Sequence, residues 1–173
     1  TDKVLLAVAS NEVNTIISGK IAAGGWRATI GDANLPGVVP TTVMLAFPDD
    51  FATSAACFIG LSTGGNTGDV FRINRGLLPA ASTATDLNAG APDALAAVDI
   101  ASISMAGNTT DGAILVGCAA GVKTYLSRDG GTTWTSSRKP ATGQTQTCVI
   151  MAPNFLSQSK AYAVTMGSES AFS

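Results

Sequence analysis

The sequence predicts an all-β chain built from repeated antiparallel units, and three observations predict it. Short apolar runs are broken every several residues by Gly, Pro, Asn and Asp, with no sustained 3.6-residue apolar period. A pair of apolar strands recurs four times along the chain, which marks a repeat architecture. The turn chemistry recurs with it.

The first strand of each unit is read in VLLAVAS (4–10), VMLAFPD (43–49), VDIASIS (98–104) and CVIMAPN (148–154). A second apolar run follows each and ends in glycine: IISG at Gly19, CFIG at Gly60, ILVG at Gly117 and VTMG at Gly167. These glycines fall roughly 40 to 60 residues apart, a drifting period that suits a four-stranded unit with loops of variable length. FPDDF (47–51) and APNFL (152–156) occupy the same place in their units, where Pro followed by Asp or Asn favours a turn after the first strand. Third strands are read in DVFRI (69–73) and VKTYLS (122–127), with a fourth after each. The alanine-rich stretch TDLNAGAPDALAAVDI (85–100) has room for a helical turn and is read as the connection between the second and third units. Approximate units are 1–40, 41–95, 96–145 and 146–173, the last ending as its third strand begins.

Composition removes several chemistries. With 173 residues and 46% apolar content, the chain is long and apolar enough to bury a core. A formal charge of −2, with ten Lys and Arg spread along the chain, supplies no basic patch for phosphates, so nucleic acid is not an expected partner. No apolar run reaches the roughly 18 residues needed to cross a bilayer as a helix. The absence of histidine excludes Ser-His-Asp and Cys-His catalysis within the chain and leaves three scattered cysteines without neighbouring zinc ligands. No catalytic residue, metal or cofactor is expected.

One stretch carries a recognisable motif. In YLSRDGGTTWTSS (125–137), Ser127, Asp129, Gly131, Thr133 and Trp134 fit the pattern S-x-D-x-G-x-T-W. This resembles the Asp-box, or bacterial neuraminidase repeat, of the β-propellers that include sialidases, the sortilin ectodomain, xyloglucan-cleaving endoglucanases and a photosystem II assembly factor. The resemblance implies four-stranded propeller blades, about three and a half of them here, with the motif in a hairpin between third and fourth strands on the outer rim. In that setting Asp129 accepts N–H bonds across the turn, Gly130 and Gly131 supply positive φ, and Trp134 covers its own loop with apolar area. AAGGWRAT around Trp26 is a shortened version of the motif, and GDVFRINRG keeps only the strand entering the turn.

The other tempting groups read as structure. Sialidases need an arginine cluster and a tyrosine nucleophile assisted by a glutamate, whereas the arginines here are 27, 72, 75, 128 and 138 and the glutamates are Glu12 and Glu169. A two-carboxylate glycosidase needs acids across a cleft; Asp49 and Asp50 are adjacent and read as turn acids. STGGNTGD (62–69) lacks the Lys-Ser/Thr ending of a phosphate loop and reads as a hairpin connection. Asn108 opens an N-x-T sequon, a glycosylation site if the protein is exported, and Asp111 alone makes no calcium site.

The expected function is that of a non-catalytic extracellular propeller acting in recognition or in structural assembly at the cell surface, with a protein or glycan as partner. The alternative is part of a secreted glycoside hydrolase whose catalytic residues lie outside this chain. Because an open arc of blades would expose apolar faces, association with another chain or with further blades is expected. Among the cysteines, Cys118 follows a second-strand glycine and Cys148 opens a first strand, which puts both at one rim and predicts a Cys118–Cys148 disulfide in an oxidising compartment. Cys57 lies within a strand below that rim and is expected as a buried free thiol.

Overall fold

The computed structural model describes residues 4–8, 15–19, 27–30, 40–74, 83–121, 123–139, 143 and 145–165, the first three stretches by their backbone pairing. They form four antiparallel sheets in chain order. Sheet one holds β1 (Val4–Val8), β2 (Thr15–Gly19) and β3 (Arg27–Ile30). Sheet two holds β4 (Thr42–Ala46), β5 (Ala56–Ser62), β6 (Val70–Asn74) and β7 (Thr83–Asp86). Sheet three holds β8 (Ile100–Ala106), β9 (Ala113–Cys118), β10 (Thr124–Ser127) and β11 (Thr135–Ser136). The fourth pairs β12 (Thr147–Met151) with β13 (Ala161–Thr165). Within each sheet every strand pairs with its sequence neighbour, so each is a simple meander.

Successive sheets stack through their first strands: β8 lies against β4 and β5, β12 lies against β8 and β9, and β1 approaches β4. This explains the uninterrupted apolar runs of the second strands. β5 and β9 are buried at every position because neighbours cover both faces, so neither needs a polar side. One layer of core, between sheets two and three, is formed by Ala46, Phe58, Val70, Ile100, Ile114, Val116 and Cys118. Ala113, Leu115, Met151 and Phe155 fill the next layer, between sheets three and four. Cys57, Ile59, Leu61, Phe71 and Ile73 cover the opposite face of sheet two.

The recurring glycine has a packing cause. A β-carbon on Gly60 would stand 2.5 Å from Cγ2 of Ile100, the first residue of β8. At Gly117 it would run into the carbonyl of Thr147, the first residue of β12. Glycine in the second strand thus admits the start of the next sheet, a use of glycine for close approach rather than for turning. Gly19 ends its strand as the sequence implies, but β5 runs past Gly60 to Ser62 and β9 past Gly117 to Cys118. Gly167 and any third strand of the last unit lie outside the described residues.

The two Pro-Asp/Asn turns are single helical turns, α1 (Phe51–Ser54) and α2 (Phe155–Gln158), each closed by a left-handed residue, Ala55 or Ser159. The alanine-rich connection contributes its first residues to β7 and then forms a 3-10 turn at Ala91–Asp93. STGGNTGD joins β5 to β6.

Candidate functional site

The hairpin that carries Ser127, Asp129, Gly131, Thr133 and Trp134 joins β10 to β11, the third and fourth strands of their sheet. Ser127 donates from its hydroxyl to Asp129 Oδ1 at 2.8 Å and accepts the Gly131 amide at 2.8 Å. Asp129 Oδ1 also accepts the Thr133 amide at 2.8 Å, and Oδ2 takes the Thr133 hydroxyl at 2.6 Å. Gly130 and Gly131 turn at φ of 64° and 89°. The Thr133 hydroxyl and amide hold the Asp129 carboxyl below the usual carboxylate range, so it stays a charged acceptor fixed on its own loop. That is the chemistry of a turn clamp, not of a proton donor.

The hairpin also fastens one sheet to the next. Trp134, expected to be largely buried against its own loop, is half-buried and instead reaches the end of sheet two, where its Nε1 donates to the Leu87 carbonyl at 2.8 Å. The loop itself is small and polar, and Gly131 lies against the Leu87 side chain, so sheet two offers the nearest apolar surface for the indole. Asp50, the turn acid of sheet two, accepts the Thr109 amide at 3.0 Å and hydroxyl at 2.8 Å in the first hairpin of sheet three. Asp49 donates its amide to the Gly107 carbonyl there. Between sheets three and four, Arg128 lies 5.1 Å from the centre of the Phe155 ring and donates to the Ser159 hydroxyl.

Three further acids were not singled out in the sequence. Asp99, just before β8, accepts the amides of Thr63, Asn66 and Gly68 and the Thr63 hydroxyl, all within 3.0 Å. Burial opposes its charge, but these donors outweigh burial and keep its carboxyl below the usual range. The glycine-rich loop 63–68 is therefore folded around a carboxylate of the neighbouring sheet. Asp93, on the 3-10 turn, is held low by Lys123 at 2.8 Å and the Tyr125 hydroxyl at 2.6 Å, which pins that turn to β10. Asp69 is fully buried; its Oδ1 accepts the Val70 and Ala89 amides, its Oδ2 has no partner, and burial pushes its carboxyl up to about 6.

The cysteines correct an expectation: Cys57, Cys118 and Cys148 are all free thiols. Strand alternation is the reason. Cys118 points into the layer between sheets two and three. Thr147 is buried against Gly117, so Cys148, the next residue, points the other way, off the far face of sheet four, where it is exposed. Equal height along neighbouring strands does not bring the two sulfurs together. Burial pushes the Cys57 and Cys118 thiols up to about 12, leaving them unreactive.

Asn108 is exposed on the β8–β9 hairpin and Asp111 is exposed beside it. Among the described residues no group of three or more His, Cys, Asp or Glu is placed to hold a metal ion, and no helix is long and apolar enough to cross a membrane. No protein-family model, curated protein or solved structure matches the chain.

Proposed function

We propose that the chain is an array of β-propeller blades that works without catalysis, as a recognition or structural-assembly surface outside the cell. The observation that carries this reading is the fate of the carboxylates. Asp50, Asp93, Asp99 and Asp129 are each engaged by amides, hydroxyls or Lys123 that hold one strand connection or one sheet against the next. Acids used in this way fix geometry and are not free to exchange protons with a substrate. Repeated meanders stacked through first strands and second-strand glycines support the blade reading, and the Asp-box between third and fourth strands agrees with it. Such a scaffold offers its loops to a protein or glycan at the cell surface, and the exposed Asn108 sequon fits an exported chain.

A glycan array, run alongside hydrolysis assays on the same polysaccharides, tests the proposal. Binding without turnover, unaltered in Asp129→Ala at temperatures where the variant is folded, is the expected result. Hydrolysis by this chain would overturn it in favour of a glycoside hydrolase.

A further inference from the structure

Asp69 stands where sheets two and three meet, in a setting that suits a neutral carboxyl better than a charged one. It is 1% exposed. Its Oδ1 accepts two backbone amides, one from Val70, the next residue, and one from Ala89, in the connection that leads from β7 to β8. Its Oδ2 is buried without a partner. Ionised, that oxygen would carry charge away from both water and donors, which is costly.

The groups around it supply no compensating charge. Asp86 on β7 opposes the ionisation of Asp69. Asp99, ahead of β8, accepts the Gly68 amide and so places a second carboxylate one residue away. Cys118 on β9 and Tyr125 on β10 respond to the charge of Asp69, and burial pushes both towards their protonated forms. Lys123 is paired with Asp93 on the 3-10 turn, and Arg72 on β6 does not reach Oδ2.

The connection over Asp69 is lightly held. None of residues 91–97 is buried. Its ends are tied to sheet two by the Leu87 amide on the Val70 carbonyl, the Ala89 amide on Asp69 and the Val98 amide on the Gly68 carbonyl. Its middle is tied to sheet three by the Asp93 carboxylate on Lys123 and the Tyr125 hydroxyl. Segments with so few buried contacts are the ones that open locally at low cost.

We propose that residues 87–98 form a strap that is closed while Asp69 is protonated and opens when Asp69 loses its proton, loosening the join between sheets two and three. Opening lets water reach Oδ2 and at the same time withdraws the Leu87 carbonyl to which Trp134 is bonded. Burial raises the Asp69 carboxyl to about 6, so the closed strap is fully favoured below about pH 4 and loses that advantage as pH rises through about 6. Asp93 and Asp99 are held below the usual carboxylate range and stay charged across this window, so neither drives the change. The strap tightens on acidification.

Native-state hydrogen exchange at the amides of Ala89 and Val98, compared with those of Ile59 and Val116 in the buried strands β5 and β9, tests this at pH 4 and pH 8 in low urea. Between these pH values the protection of Ala89 and Val98 should fall by roughly fiftyfold in wild type, the factor given by a carboxyl moved from about 4 to about 6, and should stay level in Asp69→Asn. That protection should also be nearly independent of low urea, as for an opening that exposes little surface, while protection of Ile59 and Val116 falls steeply. No fall in wild type, or an equal fall in Asp69→Asn, would overturn Asp69 as the trigger. Strap amides that share the urea dependence of Ile59 and Val116 would open only with the whole fold, which would overturn the strap. An NMR titration of the Asp69 carboxyl carbon in wild type needs no variant: a midpoint near 6 is expected, and one near 4 would overturn the proposal even if Asp69→Asn failed to fold.

Discussion

Gly60 and Ile100 meet where the second sheet touches the third: a β-carbon on the glycine would stand 2.5 Å from Cγ2 and 3.0 Å from Cβ of the isoleucine. Gly117 and Thr147 stand in the same relation one sheet further along, with backbone rather than side chain in the way. The repeat visible in the sequence is therefore a repeat of sheet-to-sheet contact. At Gly60 and Gly117 the absence of a side chain admits the start of the next sheet, and neither glycine ends its own strand.

Asp129→Ala is expected to lower stability by about 1 kcal/mol, below the usual range for bonds to a charged acceptor because the loop is partly solvated. The pH dependence follows from the lowered carboxyl. A group more acidic in the folded state contributes fully above its unfolded value near 4 and loses that contribution as pH falls through the folded value. Urea unfolding at pH 7 and at pH 2.5 checks this: the difference between wild type and variant should shrink at the lower pH.

Asp69 behaves in the opposite sense. Burial raises its carboxyl to about 6, so the fold favours the protonated form. Its contribution is complete below about pH 4 and is lost as pH rises through about 6. Asp69→Asn keeps an acceptor for the Val70 and Ala89 amides and carries no charge. The variant should match wild type near pH 4 and exceed it at pH 8 by on the order of 2 kcal/mol, read from denaturant midpoints.

Trp134→Phe preserves most of the ring contact and removes the bond to the Leu87 carbonyl, with an expected cost of about 1 kcal/mol. Trp134→Ala should cost more, roughly 2 to 3 kcal/mol, somewhat less than for a fully buried indole because Trp134 is partly exposed. Thermal denaturation of the two variants separates the bond from the packing.

Thiol counting should give one reactive cysteine, Cys148, in the dilute native protein and three after denaturation without reductant. Alkylation followed by peptide mapping assigns them. A peptide joining Cys118 to Cys148 would mean that strand alternation in β12 is inverted.

What the sequence made legible was local. First and second strands are largely apolar runs that need only their neighbours to be recognised, and the Ser127–Thr133 turn makes its hydrogen bonds within seven residues of itself. What stayed hidden were partners distant along the chain. Asp99 is bound by backbone amides of Thr63, Asn66 and Gly68, and amides leave no signature in residue identity. Trp134 has its carbonyl partner on Leu87, in another sheet. The pairing of Cys118 with Cys148 failed on parity: a comparison of heights along strands ignores which face each side chain takes, and one residue's difference reverses it.

The stacking of sheets through the second-strand glycine is tested most directly by a double-mutant cycle of Gly60→Ala and Ile100→Ala, followed by urea unfolding. Gly60→Ala alone should cost about 1 to 3 kcal/mol by overpacking, and Ile100→Ala alone about 2 to 5 kcal/mol by leaving a cavity. Ile100→Ala removes the Cγ2 and Cγ1 atoms that crowd the new methyl, so the double variant should be more stable than the sum of the two losses, by at least about 1 kcal/mol. Additive losses would mean that Gly60 does not face Ile100 and would contradict the stacked arrangement.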